Sequence, residues 1–483
     1  VTTALKGAQL ARLLGKWQVD GGRRGGPDYL TLAGAVRGLL VDGRIPLGIR
    51  LPAERELAAC LSVSRTTVTA AYRQLRETGH LASRRGAGSW TMMPVNATVG
   101  STGLWASGGE HDMIDLGIAA LNAPPELLAT TREALDDLPR YLADPGYHPA
   151  GLIELRVAVA DEYARRGLPT SPDQVMVTNG VQHAVDLAVR LLVAVAQPVL
   201  VESPTYPNVL VTVSARRARM LTFGLSSAGW DAELLLSSLR QMRPRLAYLV
   251  PEFQNPTGHL MGLALRERLP ATAHASDTEL IVDESFVDMP IDVTELPPPV
   301  ALFDRHARVL SIGGMSKPYW GGLRVGWIRA SAPLVQRLAA VRVGVDMAGP
   351  VLDQLVAARL LRTRDAVVSA RRRQLRVQRD ALVGALHAHL PEWRFVVPSG
   401  GMSLWAELDQ PISSALSRMA EAYGVRLAPG PRFGVDGTLE RFLRLPYTLP
   451  AADLVEAVVR LARARSELDR PARRAWDSPV LIA

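Results

Sequence analysis

Apolar residues at Leu30, Ala33, Val36, Leu39 and Leu40 fall at three- and four-residue spacing and predict a helix that Gly43 and Pro46 close. A shorter apolar face, Leu57, Ala58 and Leu61, predicts a second helix. Ser62-Val63-Ser64 then reads as a turn, with Ser64 suited to cap the helix that follows. In that third helix Val68, Ala71, Tyr72 and Leu75 form the buried face, and Arg65, Thr66, Thr67 and Arg73 lie on the polar face and N-terminus. Gly79 stops it, and residues 80 to 93 read as a hairpin around Arg84-Arg85-Gly86-Ala87-Gly88. From residue 113 the pattern changes. Short apolar runs at 174–177, 198–202, 247–250, 280–283 and 309–312 alternate with helical stretches. That alternation predicts a mostly parallel sheet covered by helices, an α/β fold.

These patterns divide the chain. Residues 1–26, ending in a glycine and arginine run, read as a flexible lead-in, and 27–93 as a first domain. Residues 94–112, poor in charge and rich in Gly, Ser, Thr and Val, read as a linker. Residues 113–470 form the large domain and 471–483 a tail. There is no internal repeat. No apolar run reaches about 18 uncharged residues, so no membrane span is expected. The N-terminus has no signal-peptide pattern. The single cysteine, Cys60, leaves no intrachain disulfide framework and no cysteine-based metal cluster. A cytoplasmic location and no metal site are expected.

Charge sharpens the division. The chain carries a net +8, and residues 1–93 hold fourteen Lys/Arg against six Asp/Glu, while the remainder is balanced at 41 each. A compact basic module on a neutral body is the footprint of a nucleic-acid binder. Short helix, tight turn and polar-headed helix is the helix-turn-helix layout, in which the head of the second helix meets base edges in the major groove of double-stranded DNA.

The large domain carries a different chemistry. Lysine is scarce: Lys6, Lys16 and Lys317 stand against fifty-two arginines. Arginine stays protonated, whereas a desolvated lysine can lose its proton and attack an aldehyde. Lys317 sits in a glycine-rich turn just after the apolar run at 309–312. Other polar groups also follow apolar runs: Asn179-Gly180-Val181-Gln182, Tyr206, Asn255, Asp283 and Arg324. In open α/β sheets ligands bind at those carboxyl ends. Pyridoxal 5′-phosphate (PLP) needs an amine for its aldehyde, an acid for its ring nitrogen, phosphate donors and an aromatic ring to stack on. Free N–H groups at a helix N-terminus suit its phosphate, as does the planar fork of Arg324. Taken singly, Tyr206 has the alternative of a core aromatic, Asp283 of a helix cap, and Arg444 of a pair with Glu440. Arg55 has that of a salt bridge with Glu54 or Glu56.

Two resemblances follow. LPAEREL (Leu51 to Leu57), SRTTV (Ser64 to Val68), the spaced Tyr72, Leu75, Gly79 and Leu81, and RRGAG (Arg84 to Gly88) resemble the winged helix-turn-helix of the GntR family. The resemblance implies DNA contacts from Arg55, Arg65, Thr66 and Thr67, with Ser64 opening the same helix, and wing contacts from Arg84, Arg85 and Gly86. NPTG (Asn255 to Gly258), Asp283, Ser316-Lys317 and GLRVGW (Gly322 to Trp327) resemble a fold-type I aminotransferase. The two together resemble the MocR subfamily of transcriptional regulators. That resemblance implies that Lys317 carries the internal aldimine of PLP, Asp283 pairs with the ring nitrogen, Asn255 bonds the ring hydroxyl and Tyr206 stacks on the ring. Gly180, Val181, Gln182, Ser316 and Arg324 would hold the phosphate, Tyr147 would reach the phosphate of a neighbouring subunit in a homodimer, and Arg444 would bind an effector carboxylate. Two departures stand out. Ser285 and Phe286 occupy the positions where the pattern places a tyrosine, and Gly314 stands where a hydroxyl residue is usual. The expected function is a PLP-dependent, DNA-binding regulator that senses an amine, an amino acid or PLP. The alternatives are a working aminotransferase, or a cofactor-free repressor whose large domain is a dimerisation scaffold.

Overall fold

A computed structural model describes residues 4–15, 17, 28–84, 88–93 and 113–469. The first domain is built from α1 (Gly7–Leu14), α2 (Asp28–Val41), α3 (Glu54–Leu61) and α4 (Arg65–Glu77), followed by the antiparallel strands β1 (Leu81–Arg84) and β2 (Gly88–Thr91). Ala33, Val36, Leu57, Val68, Tyr72 and Leu75 lie in its core, as their spacing predicts, but Leu32 is buried there too and Leu30, expected on the same face, is 41% exposed. Between α3 and α4 Ser62 takes a left-handed turn (φ 55°), and the Ser64 hydroxyl accepts from the Thr67 amide at 3.0 Å. The Tyr72 hydroxyl donates to the Pro52 carbonyl at 3.0 Å, which ties the LPAEREL segment to the buried face of α4.

The lead-in expected over 1–26 is corrected for residues 7–14. They form α1, with Leu5, Leu10 and Leu14 buried in the same core. Burying a leucine contributes roughly 1.5–3 kcal/mol, enough to hold a short helix against its entropy cost. Gly7 is needed there: its amide donates to Glu56 Oε1 at 2.6 Å, and a Cβ would stand 2.9 Å from Glu56 Cγ and 3.0 Å from Cys60 Sγ. The linker 94–112, the tail 471–483 and wing residues Arg85 and Gly86 lie outside the described residues.

The large domain begins with β3 (Ile114–Asp115). Its main sheet comprises β4 (Val175–Thr178), β5 (Pro198–Ser203), β6 (Arg219–Gly224), β7 (Leu246–Leu249), β8 (Glu279–Asp283), β9 (Val309–Gly314) and β10 (Gly326–Arg329). The spatial order is β4-β10-β9-β8-β7-β5-β6. Of these only β10 runs antiparallel to its neighbours. The five expected strands are present within one or two residues at their ends. Two were not expected: β6, an edge strand with a half-exposed face, and β10, hidden within the GLRVGW motif. β10 pairs antiparallel with β9, so the short connection between them, residues 315–325, turns back across the carboxyl end of the sheet. That connection carries Ser316, Lys317 and Arg324. Two apolar cores cover the two faces of the sheet. A smaller sheet follows, from β11 (Ser403–Glu407), β13 (Ala428–Pro429) and β14 (Phe442–Pro446), with β12 (Val425–Arg426) paired to β3.

Candidate functional site

A cavity of about 220 Å3 opens at the carboxyl end of the main sheet. Val181, Gln182, Tyr206, Asn255, Asp283, Ser316, Lys317 and Arg324 all line it, although they come from segments spread over more than 140 positions. Each is placed by the end of an apolar strand or by the turn after one.

Lys317 is enclosed. Burial first, and the neighbouring Arg444 second, bring its pKa down to about 8, with Asp283 opposing. Its Nζ donates to the Ala119 carbonyl at 2.7 Å and stands 5.5 Å from the centre of the Phe286 ring. An amine of this kind is neutral over an accessible pH range, which a nucleophile toward an aldehyde requires. Asp283 ends β8 fully buried and is no helix cap. Desolvation pushes its carboxyl pKa up, while hydrogen bonds from Ser285 and Tyr248 pull it down. The Ser285 amide donates to Oδ1 at 2.9 Å, and the Tyr248 hydroxyl donates to Oδ2. A carboxylate so held can pair with a protonated ring nitrogen.

An anion cradle faces these groups. Gly180 (φ 83°) precedes the helix Val181–Leu192, whose first residues, Val181 and Gln182, line the cavity. Arg324 holds a left-handed conformation (φ 52°), and its Nη2 donates to the Asn179 carbonyl at 2.9 Å. A Cβ on Gly180 would stand 2.9 Å from that guanidinium, so only glycine lets the two approach. Gly314 is similarly enclosed, with Val181 Cγ2 3.0 Å from the place of a Cβ. A hydroxyl residue there would press on the cradle. Two buried polar atoms on the cavity wall, Asn255 Oδ1 and Gln182 Oε1, have no hydrogen-bond partner among the described residues.

Arg444 lies on β14, buried, with its guanidinium 5.0 Å above the Phe433 ring. It donates to the Gly117 carbonyl, and its Nε has no hydrogen-bond partner among the described residues. Burial, then Arg432, lower its pKa to about 10. The alternative pairing with Glu440 does not form: that carboxylate accepts from the Ser414 amide at 3.0 Å and its hydroxyl at 2.6 Å. Tyr206 is partly buried, and its hydroxyl accepts from Asn208 Nδ2 at 2.8 Å. Tyr147 is 62% exposed and is not among the residues lining this cavity.

Three features escaped the sequence reading. Tyr248 is the partner of Asp283; a tyrosine inside the buried run Leu246–Leu249 was the available signal, since a buried hydroxyl needs a partner. Gly117 and Ala119 hold Arg444 and Lys317 through carbonyls, which no side chain announces. Asn179 joins a partly buried network: its Nδ2 donates to Asp346 at 2.6 Å, and Arg342 pairs with Asp346 at 2.8 Å.

On the first domain, Arg55, Ser64, Arg65 and Thr66 are exposed and Thr67 half-exposed, all at the α3–α4 corner. Arg65 lies 3.9 Å from Glu54, whose carboxylate also accepts from Thr69 Oγ1 at 2.7 Å. The Ser64 hydroxyl is within 2.7 Å of Thr66 Oγ1 and 2.8 Å of Thr67 Oγ1. Arg84 ends β1. Among the described residues no helix is long and apolar enough to cross a membrane, and no group of three or more His, Cys, Asp or Glu could hold a metal ion.

Comparison with known proteins accords with both halves. Residues 28–90 match the gntR family of bacterial regulatory proteins, and residues 113–461 match aminotransferase class I and II. The chain is similar to 2-aminoadipate transaminase of Thermus thermophilus, at 33% identity over 70% of this chain and 87% of that protein. It is also similar to the probable rhizopine catabolism regulatory protein MocR of Rhizobium meliloti, at 28% identity over 83% of this chain and 86% of that one. Among solved structures, LysN, the α-aminoadipate aminotransferase of Thermus thermophilus complexed with N-(5′-phosphopyridoxyl)-L-leucine, superposes with a TM-score of 0.68. That match has 30% identity and covers 74% of this chain and 93% of LysN. The chain therefore belongs to the MocR subfamily of GntR-type transcriptional regulators, a winged helix-turn-helix DNA-binding domain joined to an aminotransferase class I and II domain of the PLP-dependent fold.

Proposed function

We propose that the large domain senses a small carboxylate-bearing amine through PLP held at Lys317, and that occupancy of the cavity sets the affinity of the winged helices for operator DNA. The residues fit the cofactor. The partnerless Asn255 side chain, the glycine cradle beside Arg324 and the buried acid Asp283 would each meet one of its polar groups. In this reading Asp283 pairs with the ring nitrogen, Asn255 with the ring hydroxyl, and Tyr206 covers the ring. Gly180, Val181, Gln182, Ser316 and Arg324 hold the phosphate. When bound, PLP supplies an aldehyde that condenses with amines and a ring that withdraws electrons.

The observation that carries the sensing role is a shared one. Lys317 and Arg444 both donate to carbonyls of one short stretch, Ala119 and Gly117. A carboxylate arriving at Arg444 competes with Gly117, in a segment only a few residues beyond the linker. Phe286 favours sensing over turnover. Its ring stands beside Lys317 and offers no phenol where the resembled pattern supplies one. A homodimer with Tyr147 acting across it is part of the same reading, supported by the exposed Leu128, Leu135, Leu142 and Ile153. The location is read as cytoplasmic, with the DNA.

The test is to load purified protein with PLP and titrate it with amines, 2-aminoadipate first. The near-visible absorption and operator binding are followed in the same samples. The expected result is an absorption change accompanied by a roughly five- to 150-fold change in operator affinity. If every amine that perturbs the absorption leaves operator affinity unchanged, the sensing role is wrong.

A further inference from the structure

The ligand cavity has a reverse side, and the DNA-binding domain rests on it. At the end of α2 the turn Val41–Arg44 is pressed against two loops of the large domain. One is the Ser203–Tyr206 loop that ends β5. The other is the segment from Gly430 to Arg441 that leads into β14. The contact is close. A Cβ on Gly224, which pairs with Ser203 in the sheet, would stand 2.8 Å from Arg44 Cα and 2.8 Å from the Gly43 carbonyl oxygen. A Cβ on Gly43 would meet Ser203 Oγ at 2.8 Å and Leu439 Cδ2 at 3.0 Å. The Leu439 amide donates to the Val41 carbonyl, and Arg441 Nε stands 3.6 Å from Asp42 Oδ1. A second contact lies further along: Arg12 of α1 pairs with Asp231 at 2.7 Å.

The first of these loops walls the cavity, and the second reaches it through Arg444, which stands beside Lys317. Tyr206 lines it directly. Phe433 lies beneath the Arg444 guanidinium and also packs with Leu439 in one small apolar cluster. The loops are tied to each other, because the Thr205 amide donates to the Phe433 carbonyl at 2.9 Å. The segment between Phe433 and Leu439 is folded tightly. A Cβ on Gly430 would fall 2.0 Å from the Leu439 carbonyl oxygen, and one on Gly434 would fall 2.7 Å from Leu439 Cδ1. Packing this close lets a shift of Phe433 pass directly to Leu439.

We propose that this reverse side is the seat through which cavity occupancy reaches the DNA-binding domain, with Val41–Arg44 docked on the loops that carry Tyr206 and Phe433. The proposal rests on the reading of the cavity as the PLP site. Leu439 is its reporter, since its amide is bonded across the seam. Ligands act here by biasing one seated arrangement over another, so the seat and the cavity must show the same linkage in both directions.

The test uses the full chain and PLP itself as the probe. Amide hydrogen exchange at Leu439 and at residues 41–44 is measured with and without PLP, alongside the near-visible absorption of the bound cofactor and operator affinity. In the native chain PLP is expected to change exchange at Leu439 by about fivefold or more, in step with operator affinity. Gly224→Val places a side chain into the seam from the side away from the cavity, at a backbone conformation that imposes no left-handed strain. It should retain the PLP absorption and lose both PLP-linked changes, to about onefold. Arg441→Ala, which cannot create a clash, serves where Gly224→Val fails to fold; its PLP-linked change should be smaller than that of the native chain. If Gly224→Val or Arg441→Ala keeps the full PLP-linked change, the seat is not the route, while the PLP reading stands. A native chain with PLP absorption but no change at Leu439 overturns the seat equally. A native chain with no PLP absorption overturns the cavity reading and the seat with it.

Discussion

The cavity in the large domain and the head of α4 in the small one both present cations for recognition, but in opposite physical settings. Lys317 is partly and Arg444 almost wholly buried, and desolvation is the first cause of the fall in each pKa. The Arg65 side chain is 72% exposed, with only Glu54 nearby at 3.9 Å. In the cavity one misplaced charge is costly and hydrogen-bond geometry decides affinity. At the helix head, charges are screened by salt and act together with phosphate contacts. The sharpest way to break the comparison is to remove one cation from each setting. Lys317→Ala should abolish the near-visible absorption and borohydride trapping of PLP entirely, while DNA binding without PLP stays intact. Covalent trapping of PLP by that variant would show that the amine lies elsewhere.

The exposed counterpart should give a graded loss. Arg65→Ala is expected to cost about 1–3 kcal/mol in operator binding and to relax sequence preference. Arg84→Ala should instead weaken all sequences alike and reduce the slope of log affinity against log salt by about one. Operator titrations at several salt concentrations check both. Unchanged operator binding by Arg65→Ala would remove α4 from the major groove.

The two settings also explain what could be read from the chain. Buried chemistry is legible because the residues that share the cavity recur at strand ends: Asp283 after β8, Lys317 after β9, and Asn179-Gly180 after β4. The helix-turn-helix is legible because Ser64, Tyr72 and Gly79 each have a local mechanical reason to be where they are. Tertiary effects are not legible in this way. α1 is short and is capped locally only by the Lys6 amide donating to Gln9 Oε1 at 3.2 Å, so its helicity depends on Leu5, Leu10 and Leu14 reaching a core made by later residues. β10 reads as part of a glycine motif, and only its pairing with β4 and β9 makes it a strand. The grip of Gly117 on Arg444 joins positions 327 apart through a carbonyl. The seat on Ser203, Gly224 and Leu439 depends on the absence of side chains, which a sequence shows only as two more glycines among forty.

Beside the cavity, Arg444 offers a finer cut. It is the second cause, after burial, of the depressed Lys317 pKa, and Asp283 opposes both. A lysine whose pKa is lowered to about 8 is largely neutral above that pH, so PLP attachment in the native chain should quicken as pH rises through about 8. Arg444→Ala removes a like charge and should move that midpoint upward, toward the ordinary lysine value. The same variant should still bind PLP and operator DNA but lose its response to a carboxylate-bearing amine. A stopped-flow pH profile of PLP uptake, with operator titrations beside it, measures both. A midpoint unchanged by Arg444→Ala would mean that burial alone sets the Lys317 pKa.

The smallest expected effect lies at the seam, where the exposed and enclosed settings meet. Asp42 is drawn into the seat, and its pKa rises to about 6, first through desolvation and then against the pull of Arg441, with Glu407 raising it and Arg44 lowering it. His259 and Arg394 line the same seam cavity. The free turn should titrate near the ordinary 3.8. Because the docked value is the higher one, docking holds the proton more tightly than the free turn does. Its contribution is full below about 3.8 and is lost as pH rises through about 6. Between pH 5.5 and pH 7 those two values correspond to a weakening of docking by about fourfold. Asp42→Asn keeps the shape and removes the charge, so this pH dependence should vanish and the seat should be tighter at pH 7. Exchange at the Leu439 amide, compared between the two pH values after correction for intrinsic exchange rates, reads the difference directly. A native chain with no such change, or an Asp42→Asn chain that keeps it, would assign the titration to another group at the seam.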